Sequence, residues 1–420
     1  MKHFLKIFVI VLTFIIGMST WINILSVSAA PEKRVNHTYK KGQILVKFKD
    51  GTSSREIDNQ IRNNKSKLES VIPGINVHVL KVPESAEEKV IFALSHNPNV
   101  EFAELDYLAS VFMNPNDTYF SSNQWGLENT GQQIAGRIGT IDADIDSSTA
   151  WDITQGNVKV AILDTGIDQD HVDLSSKIVD QRNFTDSSSI DDIYGHGTHV
   201  AGIVAAITNN SVGVAGGCPN CVLINAKVLN DSGSGANSWI ANGIIWSTNN
   251  GAKVINMSLG SSMKSRTLEN GVNYAWNNGV VVVGAAGNSG NSSKTYPAAY
   301  TNVIAVAATN NNDQKASFSN YGTNWVDVAA PGEHIFSTFP NHTFVIQTRS
   351  GRNQNYDFAS GTSMATPMTS AVAALIWSTS YGTSMSQVRL RLQSTSDRIT
   401  GTGSYWSAGR INADRAVGSP

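Results

Sequence analysis

Three short motifs, far apart in the chain, each carry one part of a Ser/His/Asp nucleophile. They are Asp164-Thr165-Gly166, Gly195-His196-Gly197-Thr198-His199 and Gly361-Thr362-Ser363-Met364-Ala365. A carboxylate orients an imidazole, and the imidazole takes the proton of a serine hydroxyl as that hydroxyl attacks a carbonyl carbon. Glycine beside such groups lets backbones approach closely. If the fold brings the three side chains together, the chain cleaves acyl bonds.

Asp164 has two other interpretations. It follows an apolar run, so it can simply be a turn residue that ends a strand. Asp-Thr-Gly is also the signature of aspartic proteases, and Asp231-Ser232-Gly233 would supply a second copy. That mechanism shares a proton between two carboxylates from two similar β lobes, whereas both copies here lie within a pattern of alternating strands and helices. The pattern favours the serine mechanism.

Two histidines, His196 and His199, lie three residues apart at the start of a helix-like run. Such a pair can bind a metal on one helix face, but the zinc proteases with this arrangement have a Glu between their histidines, and none stands here. We therefore predict that His196 is the general base and that His199 is structural.

Ser363 begins a predicted helix, where a serine is often only a cap. At that position the backbone N–H groups and the helix dipole also favour an oxyanion. The pattern Gly-x-Ser-x-Ala lacks the second glycine of the α/β-hydrolase elbow, and the order Asp, His, Ser differs from that fold's. Asn288, in a loop after a valine strand, is a second oxyanion donor or else an ordinary turn asparagine.

The elements that must position these residues follow from hydrophobic periodicity. From residue 114 onward, short apolar runs alternate with helix-like segments, which predicts a doubly wound, mostly parallel α/β sheet. The predicted strands are Val158–Leu163, Val222–Val228, Lys253–Met257, Val280–Val283 and Val303–Val306, and the helices are His199–Ile207, Ser238–Asn249, Leu268–Asn277 and Ser363–Ser378. Sites in such sheets gather at the carboxyl ends of the strands.

The preceding segment changes its period repeatedly and predicts a small α+β domain of the ferredoxin-like, split-βαβ type. Its predicted strands are Gln43–Lys49, Gly74–Leu80 and Val100–Val111, and its helices are Ser53–Leu68 and Ser85–His96. Residues 114–117, which include Pro115, break the pattern and mark a domain boundary.

The first thirty residues predict a secretory signal peptide, with two lysines, an apolar stretch and Ser28-Ala29-Ala30 as the cleavage pattern. A membrane anchor is the alternative, but polar residues interrupt the stretch before it reaches a spanning length. Lysine plus arginine number 31 against 33 acidic residues. This balance argues against a nucleic-acid partner. We expect a secreted protein with no membrane contact after signal cleavage.

Two cysteines, Cys218 and Cys221, form a C-x-x-C pattern. The pattern suits a redox pair, half a zinc site or a disulfide across a tight turn. Export favours the disulfide, which we expect to pin one surface turn. A zinc site lacks a second pair of ligands nearby.

The four residues Asp164, His196, Asn288 and Ser363, in this order, resemble the subtilases, the subtilisin-like serine proteases, and the similarity covers essentially the whole exported chain. The resemblance implies that Ser363 attacks the scissile carbonyl, His196 carries the proton and Asp164 orients the imidazole. Asn288 and the Ser363 N–H would bind the oxyanion. A secreted endopeptidase of broad specificity is expected, with a narrower processing protease as the alternative. A catalytically silent binding protein is a third possibility, against which the intact residues argue.

The resemblance also divides the chain into a signal peptide (1–30), an inhibitory propeptide that acts as an intramolecular chaperone (31–112) and a peptidase domain (113–420). The processing cut would fall near Phe112–Met113, with Phe112 in the first substrate pocket and Ala109 in the fourth. The expected partners are protein and peptide substrates and the chain's own propeptide, and the enzyme is expected to be a monomer.

The substrate-binding residues also follow from the resemblance. Substrate backbone would pair with Ser234-Gly235 and with Ser258-Leu259-Gly260. The first pocket would be lined by Ala285-Ala286-Gly287, with Thr295 at its base, which favours a bulky apolar side chain in a shallow pocket. Asn237 replaces the tyrosine of some relatives and leaves the fourth pocket open.

Calcium is implied in the same way, because oxygen ligands of this number suit Ca²⁺. The ligands of the tight family site would be Asp117, Asp173, Asn210 and the carbonyl groups of Ile207, Val212 and Val214. A weaker site would use Asp327 with the carbonyl groups of Ala298, Tyr300 and Val303. For the first site, the alternative is an asparagine-rich turn.

An insertion of about a dozen residues, relative to the family, lies within Asn341–Phe358. Two short apolar runs around Ser350 predict a lengthened hairpin. We expect it either to extend a sheet or to border the leaving-group side of the cleft.

Overall fold

A computed structural model describes residues 39–108 and 114–418 of the chain. The predicted signal peptide, Ala109 and the predicted processing cut lie outside the described residues. Within them, no helix has the length and apolar character needed to cross a membrane.

The N-terminal domain is an antiparallel α+β sandwich, as predicted. Its elements are β1 (Tyr39–Phe48), α1 (Ser54–Asn63), β2 (Lys67–Ile72), β3 (Val77–Lys81), α2 (Glu87–Ser95) and β4 (Val100–Tyr107). The sheet order is β2-β3-β1-β4. The side chains of Ile44, Phe48, Leu80 and Leu94 fill its core.

One strand of this domain was not predicted. Every residue of β2 is exposed, so its sequence lacks the alternation that marks a half-buried strand. The predicted helix Ser53–Leu68 therefore ends early, at Asn63, and Lys65 turns the chain with a positive φ of 55°. Ser85 does not cap α2, because Ala86 is the N-cap residue.

The body is built around a seven-stranded sheet in which all paired strands are parallel. The strands after residue 114 are β5 (Gln133–Ile134), β6 (Arg137–Ile138), β7 (Lys159–Asp164), β8 (Ile178–Asn183), β9 (Val222–Lys227), β10 (Ala252–Met257), β11 (Val281–Ala285), β12 (Ile304–Thr309), β13 (Val328–Pro331), β14 (Ile335–Thr338) and β15 (Tyr356–Ala359). The order is β13-β12-β11-β10-β7-β9-β8. The chain reverses its direction of winding at β7, so the end of β7 is the topological switch point at which such sheets hold their sites.

Helices cover both faces of this sheet, which confirms the doubly wound α/β class. They are α3 (Phe120–Asn123), α4 (Ser147–Ile153), α5 (His196–Ala205), α6 (Asn237–Asn249), α7 (Arg266–Asn277), α8 (Val345–Ser350), α9 (Thr362–Trp377), α10 (Met385–Ser394) and α11 (Ala413–Val417). Successive side chains of β7 point to opposite faces. Val160 and Ile162 join one core, and Ala161 and Leu163 join the other.

The insertion does not form the predicted hairpin. Its first apolar run is the helix α8, which ends at Gly351 in the left-handed conformation (φ 66°), as is usual after a helix. Its second run is β15, which pairs antiparallel with β14 instead. Phe344 explains the difference, because it is buried and stacks on Phe339 with ring centroids 5.1 Å apart. A regular hairpin has no core position for that ring.

Cys218 and Cys221 form a disulfide, as predicted. Both cysteines are fully buried and belong to the larger core of the body, while Asn220 in the turn between them is exposed, so the bond joins that turn to the core. A Cβ on Gly156 would come within 2.1 Å of the Cys218 sulfur. The position of Gly156 therefore accepts only glycine beside the disulfide.

Candidate active site

Asp164 is the last residue of β7 and so lies at the carboxyl end of a strand inside the parallel sheet, between β10 and β9. Its side chain is fully buried. Oδ1 accepts a hydrogen bond from the Thr165 N–H at 2.8 Å and lies 2.8 Å from the His196 Nδ1. A carboxylate can only accept, so Nδ1 carries the proton and donates. The Nε2 of His196 is therefore left as the proton acceptor.

His196 opens α5, and tight backbone packing sets its position. A Cβ on the next residue, Gly197, would lie 2.1 Å from the Gly166 carbonyl oxygen. Only glycine allows the helix to begin this close to the end of β7. The His196 side chain is 21% exposed, so the imidazole remains accessible from the cleft.

Asp192 is a buried carboxylate beside the pair that no sequence motif indicates. Oδ1 accepts from the Thr165 hydroxyl at 2.7 Å and from the Gly195 N–H at 2.7 Å. Oδ2 accepts from the N–H of Thr198 at 2.8 Å and from its hydroxyl at 2.7 Å. Asp192 thus ties the residue after Asp164 to the first turn of the helix that carries His196. A carboxylate also suits the amino end of a helix.

These charges control the protonation of His196. Burial alone would lower the pKa of the imidazole, but the carboxylates of Asp164 and, more weakly, Asp192 outweigh burial and raise that pKa above its usual value. His199 is the opposite case. It is fully buried away from a carboxylate, and burial lowers its pKa to about 3. His199 contacts the Asp357 carbonyl oxygen at 3.2 Å and packs on Phe339, as expected for a structural residue.

Ser363 is the second residue of α9. Among the described residues, its hydroxyl donates to the Ser258 carbonyl oxygen at 3.1 Å rather than to His196. The Ser258 hydroxyl returns a hydrogen bond to the Ser363 carbonyl oxygen at 2.8 Å. Hydrogen bonds between catalytic groups commonly tighten only when substrate is bound. If Ser363 is the nucleophile, its hydroxyl must turn from Ser258 toward the imidazole before attack.

Asn288 follows β11 and is held by α9. Its Oδ1 accepts from the Thr362 N–H at 2.8 Å and from the Thr362 hydroxyl at 2.9 Å, and the amide N–H₂ donates to none of the described residues. A Cβ on Gly361 would lie 3.3 Å from the Asn288 Nδ2 and 3.5 Å from the Ser363 N. The two N–H donors therefore border one small space, which is the geometry that an oxyanion site requires.

A cleft of about 490 Å³ lies beside the imidazole. Its lining includes His196 and five predicted substrate-binding residues, Ser234, Gly235, Ser258, Leu259 and Gly260. Asn237 also lines this cleft, as do Tyr194 and Gly233, which belong to none of the predicted substrate-binding segments.

The residues of the predicted first pocket lie close together around Thr295. A Cβ on Gly260 would lie 2.6 Å from the Thr295 Cγ2, and one on Gly287 would lie 2.8 Å from the Thr295 Oγ1. Asn320, which was not predicted, joins the group by donating to the Ala286 carbonyl oxygen at 3.0 Å. Ala285 is buried in the same wall.

A buried lysine, Lys227, links the loops around the cleft. Its ammonium group, at the end of β9, donates to the carbonyl oxygens of Thr165 at 2.6 Å and Asp191 at 2.8 Å, and to the Asp231 carboxylate at 2.7 Å. Asp231 is therefore the partner of a lysine rather than of a second carboxylate. The all-parallel sheet also lacks the two β lobes of an aspartic protease.

The first predicted calcium site brings two carboxylates together in the interior. Asp117 and Asp173 are both buried, and the Asp117 Oδ1 has no hydrogen-bond partner among the described residues. Burial, together with the charge of Asp173, raises the pKa of the Asp117 carboxyl. Asn210 donates to the Asp173 Oδ1 at 2.6 Å. An orphaned carboxylate oxygen beside a second carboxylate fits a bound cation.

The second predicted calcium site has different contacts. Both oxygens of Asp327 accept hydrogen bonds, as do those of Asp173, but at Asp327 one donor is a cation: Oδ1 accepts from Arg389 at 2.8 Å and Oδ2 from the Ala305 N–H at 2.8 Å. The Arg389 guanidinium also donates to the Thr301 carbonyl oxygen at 2.6 Å. A side-chain cation therefore already compensates Asp327.

Another group of metal-binding type, Asp168, Asp191 and His342, brings one ligand atom from each residue to within 4.8 Å of the other two. The Nε2 of His342 lies 3.4 Å from the Asp191 Oδ2. Asp168 is buried, which raises its pKa to about 6. A histidine nitrogen is not a ligand that Ca²⁺ prefers, so this group is distinct from the predicted calcium sites.

Known proteins match this chain over both of its parts. A model described as "Subtilase family" matches residues 155–418, and one described as "Fervidolysin N-terminal prodomain" matches residues 26–106. Thermitase of Thermoactinomyces vulgaris is 47% identical over 305 residues, which are 72% of this chain and 99% of thermitase. The thermophilic serine proteinase of Bacillus sp. (strain AK1) is 39% identical over 397 residues, 92% of this chain and 90% of that protein. Among solved structures, a protease of Pseudoalteromonas arctica PAMC 21717 has a TM-score of 0.62 at 32% identity and covers 73% of this chain and 99% of its own.

Proposed function

Because this chain belongs to the subtilase family of serine proteases and carries an N-terminal prodomain, we propose that it is a secreted endopeptidase of broad specificity. Asp164, His196, Ser363 and Asn288 are its catalytic residues. The single observation that carries the assignment is the 2.8 Å contact of the His196 Nδ1 with the buried Asp164 carboxylate. This contact fixes the tautomer whose Nε2 accepts a proton.

Each step of peptide-bond cleavage then has a named group. The Ser363 hydroxyl leaves Ser258, gives its proton to the His196 Nε2 and attacks the scissile carbonyl carbon. The oxyanion that forms accepts hydrogen bonds from the Asn288 Nδ2 and the Ser363 N–H. As the C–N bond breaks, the imidazolium returns the proton to the leaving amine. Water then repeats the sequence on the acyl-enzyme and frees Ser363.

The substrate backbone pairs with Ser234-Gly235 on one side of the cleft and with Ser258-Leu259-Gly260 on the other. Its reactive residue enters the pocket at Ala285-Ala286-Gly287, with Thr295 at the base. No acidic side chain belongs to this predicted set, so a basic residue finds no counter-charge there. This composition favours broad, apolar specificity over that of a processing protease.

The precursor is divided as the family resemblance implies. Residues 31–112 are the chaperone and inhibitor, and the cut near Phe112–Met113 releases the peptidase domain 113–420. Calcium would be held by Asp117, Asp173 and Asn210 with the carbonyl groups of Ile207, Val212 and Val214, where it compensates the two buried carboxylates. The orphaned Asp117 Oδ1 supports this site, whereas the Arg389 contact at Asp327 weighs against the second one.

A serine-directed fluorophosphonate probe tests the proposal, with casein hydrolysis measured in parallel. We expect the mature protein to be labelled and active, and Ser363→Ala to be neither. The Ser404→Ala variant, which changes a serine outside the catalytic set, is the matched control and should behave as the wild type. A folded mature protein that neither reacts with the probe nor cleaves casein would instead be a binding protein.

A further inference from the structure

Three side chains that can bind a metal ion come together from three separate segments of the chain. Asp168 lies on the loop after β7, Asp191 lies on the loop before α5, and His342 lies in the insertion. One atom of each side chain is within 4.8 Å of the other two. None of the three residues lines the cleft beside His196. This group is therefore separate from the proposed substrate-binding surface.

The His342 imidazole turns one nitrogen toward the group. Its Nδ1 lies 3.1 Å from the Thr343 carbonyl oxygen, which can only accept, so Nδ1 carries the proton of the neutral ring. The lone pair is then on Nε2. The Nε2 atom is buried and has no hydrogen-bond partner among the described residues. A hydrogen bond from the other ring nitrogen is the usual device that orients a metal-binding histidine.

Backbone N–H groups orient the two carboxylates. Asp168 is fully buried, and its Oδ2 accepts a hydrogen bond from the Asn341 N–H at 2.8 Å. The Asp191 Oδ1 accepts from the Asp192 N–H at 2.9 Å, and the Asp191 Oδ2 lies 3.4 Å from the His342 Nε2. Carboxylate oxygens have two lone pairs each, so these hydrogen bonds leave capacity for a metal ion.

The distance of 3.4 Å between the His342 Nε2 and the Asp191 Oδ2 separates two explanations of this contact. A charge-assisted hydrogen bond from a protonated imidazole would be shorter, about 2.7–2.9 Å. Two ligand atoms of a tetrahedral zinc ion, with bonds of about 2.0–2.2 Å, lie about 3.4 Å apart. The observed distance therefore fits two ligands of one ion. The other separations in the group, up to 4.8 Å, exceed this spacing by at most about 1.4 Å.

We propose that Asp168, Asp191 and His342 form a binding site for a divalent transition-metal ion of the Zn²⁺ class. One imidazole nitrogen and two carboxylate oxygens suit Zn²⁺, whereas Ca²⁺ prefers oxygen ligands alone. The side chains of His342 and Asp191 are 31% and 29% exposed, so water can reach a fourth coordination position. The ion compensates two neighbouring carboxylates, one of them fully buried.

The ion joins the insertion to both loops that flank the catalytic pair. The insertion already contacts the loop before α5, because the Val345 N–H donates to the Ile193 carbonyl oxygen at 3.0 Å. Phe344 packs on the same loop, where a Cβ on Gly195 would lie 2.3 Å from the Phe344 Cδ2. The metal adds the loop after β7 to this assembly through Asp168. Its role is therefore structural, and it stabilises the fold without contacting substrate.

Isothermal titration calorimetry with Zn²⁺ tests the site. The protein carries Ser363→Ala and His196→Ala, which prevent autolysis and remove the catalytic imidazole, lacks a histidine tag, and is kept in saturating Ca²⁺. We expect one Zn²⁺ per chain. His342→Ala should weaken binding at least 100-fold, because a ligand is lost and even outer-shell changes cost 10–100-fold. His334→Asn is the matched control, since asparagine accepts the positive φ of 53° there, and should bind Zn²⁺ like the parent.

Thermal unfolding gives a second readout. Zn²⁺ should raise the unfolding midpoint of the parent and of His334→Asn, but not that of His342→Ala. Asp191→Asn, at another partly exposed position, serves as the ligand variant if His342→Ala does not fold. Equal Zn²⁺ affinity in the parent and the ligand variant would overturn the inference, as would displacement of Zn²⁺ by excess Mg²⁺, which prefers oxygen ligands. A parent that binds no Zn²⁺ would also overturn it and leave the contact of His342 with Asp191 as an ion pair only.

Discussion

Thr362 holds Asn288 with two hydrogen bonds, one from its backbone N–H at 2.8 Å and one from its hydroxyl at 2.9 Å, both to Oδ1. The two bonds fix the orientation of the amide. Without them, the Nδ2 that borders the Ser363 N–H has no preferred direction. The oxyanion site that we propose therefore depends on the pair rather than on Asn288 alone.

We expect Asn288→Ala to lower kcat with little change in KM, because the lost hydrogen bond forms only in the transition state. The expected loss is about 2.7–4 kcal/mol, the value known for the asparagine donor of subtilisin itself. Thr362→Val should cost less, about 1 kcal/mol or several-fold in kcat, because one hydroxyl donor is lost and the backbone bond remains. Steady-state kinetics on one peptide compares the three proteins. A raised KM with an unchanged kcat would contradict the assignment of Asn288.

The pH profile should reveal the charges around His196. Only the neutral imidazole accepts a proton from Ser363, and the pKa of His196 is raised. kcat/KM should therefore fall on acidification with a midpoint above the usual 6.5. Asp192→Asn removes a negative charge that raises this pKa, so the midpoint should move to lower pH. A midpoint that moves upward would exclude an electrostatic role for Asp192.

Calcium should stabilise the fold through Asp117. In a Ser363→Ala background, which prevents autolysis, calcium at about 100 times its Kd should add about 2.7 kcal/mol to the free energy of unfolding. Asp117→Asn should lose most of this increment. Asp327→Asn is the control, and it should lower stability with and without calcium equally because it breaks the Arg389 pair. Thermal unfolding in calcium and in EDTA measures the calcium increment for each variant. An equal calcium increment in all three proteins would contradict the predicted site.

Gly197 should tolerate no side chain. A Cβ there meets the Gly166 carbonyl oxygen at 2.1 Å, so Gly197→Ala must push α5 and His196 away from Asp164. We expect at least a 100-fold loss of kcat/KM, the size of effect that follows from a displacement of about 1 Å. Gly271→Ala in α7 is the matched control. Its nearest contact would be 3.4 Å, and alanine suits a helix interior.

The sequence predicted the sheet and the pairing of Asp164 with His196 because both leave strong local signals. The buried strands are continuous apolar runs, and the catalytic motifs stand among glycines that the close contacts require. Asp192 left no such signal, because an aspartate in a polar loop is typical of any turn. Its role depends on Thr165 and Thr198, which only the fold brings to it.

The insertion was harder to predict for a related reason. Its two apolar runs suit a strand as well as a helix, and length alone does not separate them. The burial of Phe344 against Gly195 decides the outcome, and that contact spans about 150 residues of sequence. The exposed strand β2 was missed for a different reason. A strand without a buried face has no hydrophobic alternation to detect.

Lys227 has a consequence for protein engineering. One buried ammonium group serves the backbone after Asp164, the loop at Asp191 and the side chain of Asp231. These loops around the cleft are therefore not independent modules. A loop transplanted from a relative must bring a compatible acceptor for this lysine, and a library that varies residue 231 alone will be depleted of folded members. Recombination points that keep positions 165, 191, 227 and 231 in one block should conserve activity.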